Sequence, residues 1–256
     1  MTNNAVLFDK QDEVGVITLN RPKRLNAINS DLLDGFIHYL QRAGEDADVK
    51  SVILTGSGRA FCAGEDLKET QAGKTLAQWT REVDALQEIQ RVISKLGKPL
   101  LAAVRGYALG GGLEFALCCD IRIAAEDARF GFPETGVGLT VTSAGTKLIT
   151  QIVGLGKAKE LIFTGDFIDA AEALRIGLVN QVVSGDDLMQ AAFFMCRKIN
   201  QRSPLALRLS RIAVDQGLHS SFEQILEIEA GHLLTCVQAE DQRLFLDARM
   251  QELKRE

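Results

Sequence analysis

Short β-rich runs alternate with amphipathic stretches through the first half of the chain. That alternation leaves room for few folds other than a sheet with helices between its strands. Val14-Gly15-Val16-Ile17-Thr18-Leu19 reads as a strand, with Ala5-Val6-Leu7-Phe8 as its partner before it. Asn29 or Ser30 caps a helix running to about Arg42, on which Leu32, Leu33, Phe36, Ile37 and Leu40 recur at helical spacing. Ser51-Val52-Ile53-Leu54-Thr55 is a second strand, closed by Gly56-Ser57-Gly58. A helix over about Leu76 to Leu96 carries Trp79, Val83, Leu86, Ile89 and Ile93. Pro99 opens the strand Leu100-Leu101-Ala102-Ala103-Val104, a short helix follows Gly110-Gly111-Gly112, and Ile121-Arg122-Ile123-Ala124 is a further strand. From about residue 144 the signals turn helical: 144–152, 155–163, 170–175, 186–200, 204–216, 221–235 and 239–254, interrupted by one strand at Leu178–Val183. The expectation is an α/β core followed by a helical tail. Phe222, Ile225, Leu226, Ile228, Leu233 and Leu234 crowd into that tail, which suggests packing onto another surface such as a neighbouring subunit.

Composition narrows the function classes. With 256 residues, 46% of them hydrophobic, the chain buries roughly three quarters of its unfolded surface and needs no disulfide or structural metal to fold. No uninterrupted apolar run reaches the roughly 18 residues of a membrane helix, and Met1-Thr2-Asn3-Asn4 lacks the basic start of a signal peptide. A net charge of −5 gives no general attraction to phosphate backbones or anionic lipid. The five cysteines (Cys62, Cys118, Cys119, Cys196, Cys236) include no C-x-x-C pair, so they read as reduced, mostly buried thiols in a cytoplasmic compartment. His38, His219 and His232 form no H-E-x-x-H or H-x-H, and no metal site is expected.

Three familiar motifs fail. Gly73-Lys74-Thr75 ends like a phosphate-binding loop, but Lys68 stands where its first glycine belongs. Gly56-x-Gly58 and Gly154-x-Gly156 both miss the third glycine of a dinucleotide turn, at Phe61 and Lys159. No G-x-S-x-G elbow is present.

Three segments carry chemistry. Gly58-Arg59-Ala60-Phe61-Cys62-Ala63-Gly64-Glu65-Asp66-Leu67 follows a strand, and its small residues free backbone N–H groups to meet a ligand. Gly106-Tyr107-Ala108-Leu109-Gly110-Gly111-Gly112-Leu113-Glu114 joins a strand to a helix, whose first-turn N–H groups suit a developing oxyanion. Phe130-Gly131-Phe132-Pro133-Glu134 places a glutamate beside a helical turn opened by proline. Taken singly, Glu114 and Glu134 also fit a helix start, where the dipole favours a carboxylate by about 0.3–1 kcal/mol. Together, two candidate donor loops and two glutamates 20 positions apart occur in one sequence, which weighs against a purely structural reading of each.

That combination resembles the crotonase family, the enoyl-CoA hydratase/isomerase superfamily, and the resemblance runs over nearly the whole chain. Arg21-Pro22-Lys23-Arg24-Leu25-Asn26-Ala27-Ile28-Asn29 is similar to the family's coenzyme A segment, and the two glycine-bearing loops are similar to its two oxyanion loops. Leu161-Ile162-Phe163-Thr164-Gly165-Asp166 and Ala173-Leu174-Arg175-Ile176-Gly177-Leu178-Val179-Asn180 resemble its later landmarks. The resemblance implies a spiral of β-β-α turns over residues 1–200 and a helical oligomerisation region over 201–256, building a homotrimer or a hexamer. It implies an acyl-CoA substrate and no permanently bound cofactor, coenzyme A entering as part of the substrate.

By the same resemblance the backbone N–H groups of Glu65 and Gly111 hold the thioester oxygen. Glu114 activates a water for attack at C3, and Glu134 exchanges the C2 proton. Ala27, Ala63, Asp66 and Leu67 fall in the coenzyme A path. Arg24 fits either a coenzyme A phosphate or a solvated surface. Two carboxylates favour hydration; a double-bond isomerase can work with one. After Glu134 the chain departs from the family pattern. Gly138-Leu139-Thr140-Val141-Thr142-Ser143-Ala144-Gly145-Thr146-Lys147-Leu148 lacks a proline and carries β-branched residues where small ones are common, at a place expected to border the acyl pocket. Lys68 to Thr75 is read as a mobile flap and Trp79 as a core residue ahead of a wall of the acyl end. RNA binding, known in one member of the superfamily, needs clustered Lys and Arg. The early helix instead offers Asp31, Asp34, Glu45, Asp46 and Asp48 against Arg42 and Lys50.

Overall fold

The structure, a computed structural model, describes residues 4–254. Strands β1 (Val6–Gln11) and β2 (Val14–Leu19) form the hairpin expected from their alternating pattern, and α1 (Ser30–Glu45) returns the chain across the sheet. Asn29 caps α1 through a hydrogen bond accepted from the Leu32 N–H. Three β-β-α turns follow: β3 (Ser51–Gly56), β4 (Ala60–Cys62), α2 (Leu67–Gln71) and α3 (Leu76–Lys95); β5 (Leu100–Val104), β6 (Tyr107–Leu109) and α4 (Gly111–Leu117); β7 (Ile121–Ala125), β8 (Arg129–Gly131), α5 (Gly145–Val153) and α6 (Leu155–Thr164). The chain ends through β9 (Ile168–Asp169), α7 (Ala170–Arg175), β10 (Gln181–Val183) and helices α8 (Leu188–Asn200), α9 (Pro204–Gly217), α10 (Phe222–Gln238) and α11 (Glu240–Leu253).

Each turn of the spiral gives one strand to each of two sheets. The larger has the order β1-β2-β3-β5-β7-β10 and the smaller β4-β6-β8-β9. Beyond the first hairpin the larger sheet is parallel, and both of its faces are covered. Strand alternation divides the burial. Val52, Leu54, Leu100, Ala102 and Val104 face α1 and α3, while Ile53, Leu101, Ala103 and Ile123 face Leu188, Ala192 and Cys196 of α8.

The expected strand at Leu178–Val183 is shorter, confined to β10. Leu178 and Val179 are buried, and their N–H groups close the end of α7 onto the Ala173 carbonyl at 2.8 and 3.2 Å. Strands β4, β6 and β8 are three residues each, too short for a period-2 pattern to be visible in the sequence. Cys62, Cys119 and Cys196 are buried and all five thiols are free. No described helix is long and apolar enough to cross a membrane.

After Asn200 the chain is helical, and no residue of α9, α10 or α11 is buried. Helix α9 is tied to the core by Arg211, whose guanidinium lies 2.7 Å from Asp120 and donates to the Ile93 and Lys98 carbonyls. Helix α10 leaves Leu226, Leu233 and Val237 exposed along one face, at helical spacing.

Candidate active site

The two glycine-bearing loops lie against each other at the ends of β4 and β6. The contact needs a residue without a side chain: a Cβ on Gly112 would fall 2.2 Å from the Cys62 carbonyl oxygen. Gly110 has φ +52°, a conformation glycine adopts without penalty, and turns the chain from β6 into α4. Gly111 is therefore the first residue of a helix, where an N–H has no intrahelical acceptor.

The segment from Arg21 to Asn29 fixes the first loop. Asn26 is fully buried with φ +56°, and its side-chain amide donates to the carbonyls of Ser57 (2.9 Å), Ala60 (2.8 Å) and Phe61 (3.1 Å). The Ile28 N–H donates to the Gly64 carbonyl (2.8 Å), and Ile28 pairs with Glu65 in a parallel bridge. Arg21 meets the buried Asp66 carboxylate at 3.1 Å and donates to the Ala27 carbonyl. Asp66 also caps α2, so its carboxylate is engaged by the protein itself. Ala27 is buried, Ala63 half-buried, and Leu67 and Arg24 exposed at the mouth of the loop.

Glu114 and Glu134 are brought to the same backbone. A Cβ built on Gly110 would lie 2.8 Å from Glu134 Oε1, and one on Gly111 would lie 3.9 Å from Glu114 Oε2. Their environments differ. Glu114, on the first turn of α4 and 1% exposed, accepts at Oε1 from the N–H groups of Thr142 (3.2 Å), Ser143 (2.5 Å) and Gly145 (3.2 Å). Burial raises its proton affinity and these three donors oppose the rise. Glu134 sits in the 3-10 turn Pro133–Val137, and its Oε2 is buried with no partner among the described residues. Burial, with the charge of Glu114 adding to it, pushes Glu134 up to about 7. Burial raises both carboxylates, but only Glu114 has N–H donors on its anionic form, so the two are unequal, which is how a pair of like residues can take opposite acid–base roles.

The holders of Glu114 were not legible in the sequence. They come from the stretch of 138–148 that departs from the family pattern. Ala144 caps α5 with φ +60°, which turns the N–H groups on either side of it toward the carboxylate. A second omission is Glu82. The buried stripe of α3 is Glu82, Leu86, Ile89 and Ile93: Leu86, Ile89 and Ile93 are buried as expected, and Glu82 takes the buried place expected of Val83. Trp79 is half-buried rather than in the core, because the Lys74 ammonium occupies its ring face at 4.6 Å. A glutamate on the apolar stripe of a helix, with a lysine eight residues before it, is the signal that could have been read.

Comparison with known proteins gives a consistent picture. The family described as enoyl-CoA hydratase/isomerase matches residues 9–252. A short-chain-enoyl-CoA hydratase of Clostridium acetobutylicum is 43% identical over 245 residues, 95% of this chain and 93% of that one. A crotonyl-CoA hydratase of Syntrophomonas wolfei is 39% identical over 256 residues, 99% of this chain and 98% of that one. Among solved structures, an enoyl-CoA hydratase from Bacillus anthracis superposes with a TM-score of 0.93 at 36% identity, covering 97% and 96% of the two chains.

Proposed function

Because the chain belongs to the enoyl-CoA hydratase/isomerase family, we propose that it adds water across the 2,3 double bond of an enoyl-CoA thioester. The observation that carries this reading is the pair of glutamates flanking Gly110–Gly111, one held by three backbone N–H groups and the other buried without a partner at Oε2 among the described residues. The names of its relatives support the same substrate class.

In the proposed mechanism the thioester oxygen accepts from the backbone N–H groups of Glu65 and Gly111. Charge develops on that oxygen as C3 is attacked, and losing one such donor costs about 3 kcal/mol of barrier. Glu114, ionised, takes a proton from water as its oxygen bonds to C3. Glu134, protonated, gives its proton to C2 as the enolate collapses. The product leaves Glu114 protonated and Glu134 ionised, and one proton passed between them through solvent resets the pair. Dehydration runs the same steps backwards. No resident cofactor is needed. Coenzyme A arrives with the acyl group, past Ala27, Ala63, Asp66 and Leu67, and Arg24 at the exposed turn Pro22–Arg24 meets a phosphate.

The exposed apolar face of α10 supports assembly as a homotrimer or a pair of trimers, and five free thiols support a reducing, cytoplasmic setting. A panel of trans-2- and 3-enoyl-CoA esters tests the reaction. Hydration of short trans-2-enoyl esters is expected; isomerisation of 3-enoyl esters without hydration of any trans-2 ester would replace hydratase by isomerase.

A further inference from the structure

Lys74 belongs to the failed phosphate-loop motif, and the mechanism above gives it no task. The structure buries it between two carboxylates. Its ammonium donates to Glu65 Oε1 and to Glu82 Oε2, the latter at 2.5 Å, and faces the ring of Trp79. Thr70 Oγ1 also donates to Glu65 Oε1, at 2.7 Å. The Lys74 and Glu82 side chains are 9% and 7% exposed. Burial, then the neighbouring Glu65 carboxylate, pushes Glu82 to hold a proton. Glu65 stays ionised despite its own burial, because Glu82, Lys74 and Thr70 all donate to it. The trio therefore sets one ammonium between two carboxylates, of which Glu82 is the one biased to hold a proton.

Such a cluster is a poor device for stability alone. Packed apolar side chains of similar volume do as well or better, and Glu82 interrupts an otherwise apolar stripe. Apart from Lys74, the segment it anchors is held mainly at its start, where Arg21 lies 3.1 Å from Asp66 and 3.9 Å from Glu69. Helix α2 buries no residue, Gly73 has nothing within 4 Å of its would-be side chain, and a cavity of ≈480 Å³ lies between this segment and α1. On the opposite side, residue 65 is held through its backbone by Ile28. Residue 65 is thus clamped from two directions, by the main chain and by its carboxylate.

We propose that Lys74 is a positioning residue for the carbonyl-holding site: by tying the Glu65 side chain to Glu82 and Trp79 on α3, it fixes the direction of the Glu65 N–H. This rests on the reading of that N–H as a donor to the thioester oxygen. Orientation of a single donor is a large effect, since displacement by about an ångström costs on the order of a hundredfold in rate.

The test uses the full-length protein with an acyl-CoA whose thioester carbonyl carries carbon-13, and reads the carbonyl stretch by infrared difference. Binding to the wild type is expected to shift the stretch to lower frequency. Lys74→Met is expected to lose much of that shift and about tenfold in kcat, with KM changed by less than about twofold. Lys74→Met with Glu65→Gln should be no worse than Lys74→Met alone. Lys74→Met with Glu65→Gln removes the anion that Lys74 leaves behind and so covers the case where the single variant does not fold, and Lys74→Met with Glu82→Leu, which replaces the buried acid on α3 by an apolar side chain, is expected to show the same loss of shift. A full shift and unchanged kcat in either Lys74 variant would overturn the positioning role and leave the two-donor reading standing. No shift in the wild type would overturn the two-donor reading itself, and the role of Lys74 with it.

Discussion

Glu114 and Glu134 are the same residue type made different by their surroundings, and the difference has a direct consequence for pH. In the proposed mechanism hydration uses Glu114 ionised and Glu134 protonated, and dehydration uses the reverse. Both directions use the pair with one proton, and the overall reaction consumes none. Their kcat/KM profiles are therefore expected to share one shape. With Glu134 raised to about 7, activity should fall on the alkaline side above that point as the pair loses its last proton. Measuring kcat/KM from both substrates between about pH 5 and 9 checks this; flat profiles through neutrality would contradict the assignment. The identities of the two glutamates were legible in the sequence, as residues beside a glycine-rich turn and a Pro-Glu step. Their unequal environments were not, because the N–H groups that hold Glu114 belong to Thr142, Ser143 and Gly145, 28 to 31 positions away. Glu82 and Lys74 stayed hidden for a related reason: a charged residue on a buried stripe reads as an exposed face until its partner is seen.

At the scale of elements, local pattern and fold agreed where helices are long and strands have neighbours on both sides. Helix α1 keeps its cap at Asn29, and α5 to α11 lie within a few residues of the stretches read as helical. The small sheet was invisible because it is made of pieces of two or three residues joined across turns of the spiral. Two elements carry predictions. Ala144, exposed and left-handed at the cap of α5, sits where glycine is favoured by about 1–2 kcal/mol. Glycine also frees the unfolded chain, which offsets part of that gain. Ala144→Gly is expected to stabilise by about 1 kcal/mol, a rise of roughly 2–4 °C in the melting midpoint. An unchanged or lower midpoint would mean that the surrounding N–H bonds depend on alanine. On α10, the stripe of Leu226, Leu233 and Val237 is 44%, 63% and 57% exposed in the single chain. If a second copy covers it, Leu233→Asp with Val237→Asp should give monomers in sedimentation, whereas wild-type protein sedimenting as a monomer would contradict the proposed assembly.

Over the whole molecule, the spiral explains why residues so far apart in the chain share one site. Each turn ends at the same edge, so the loop after β4 with Glu65, the start of α4 with Gly111 and Glu114, and the turn after β8 with Glu134 stack there. In the proposed mechanism two backbone N–H groups bind and two carboxylates transfer protons, so binding and proton transfer are separable by substitution. The most direct measurement is kcat for hydration of a short trans-2-enoyl-CoA by Glu114→Gln, Glu134→Gln and the double variant, with the affinity for the coenzyme A ester taken alongside. Each single substitution is expected to lower kcat by at least about a hundredfold, with affinity little changed. The double variant should be hardly worse than the worse single, because groups that act as a unit are not additive. Near-wild-type hydration by either single variant would contradict the two-glutamate mechanism.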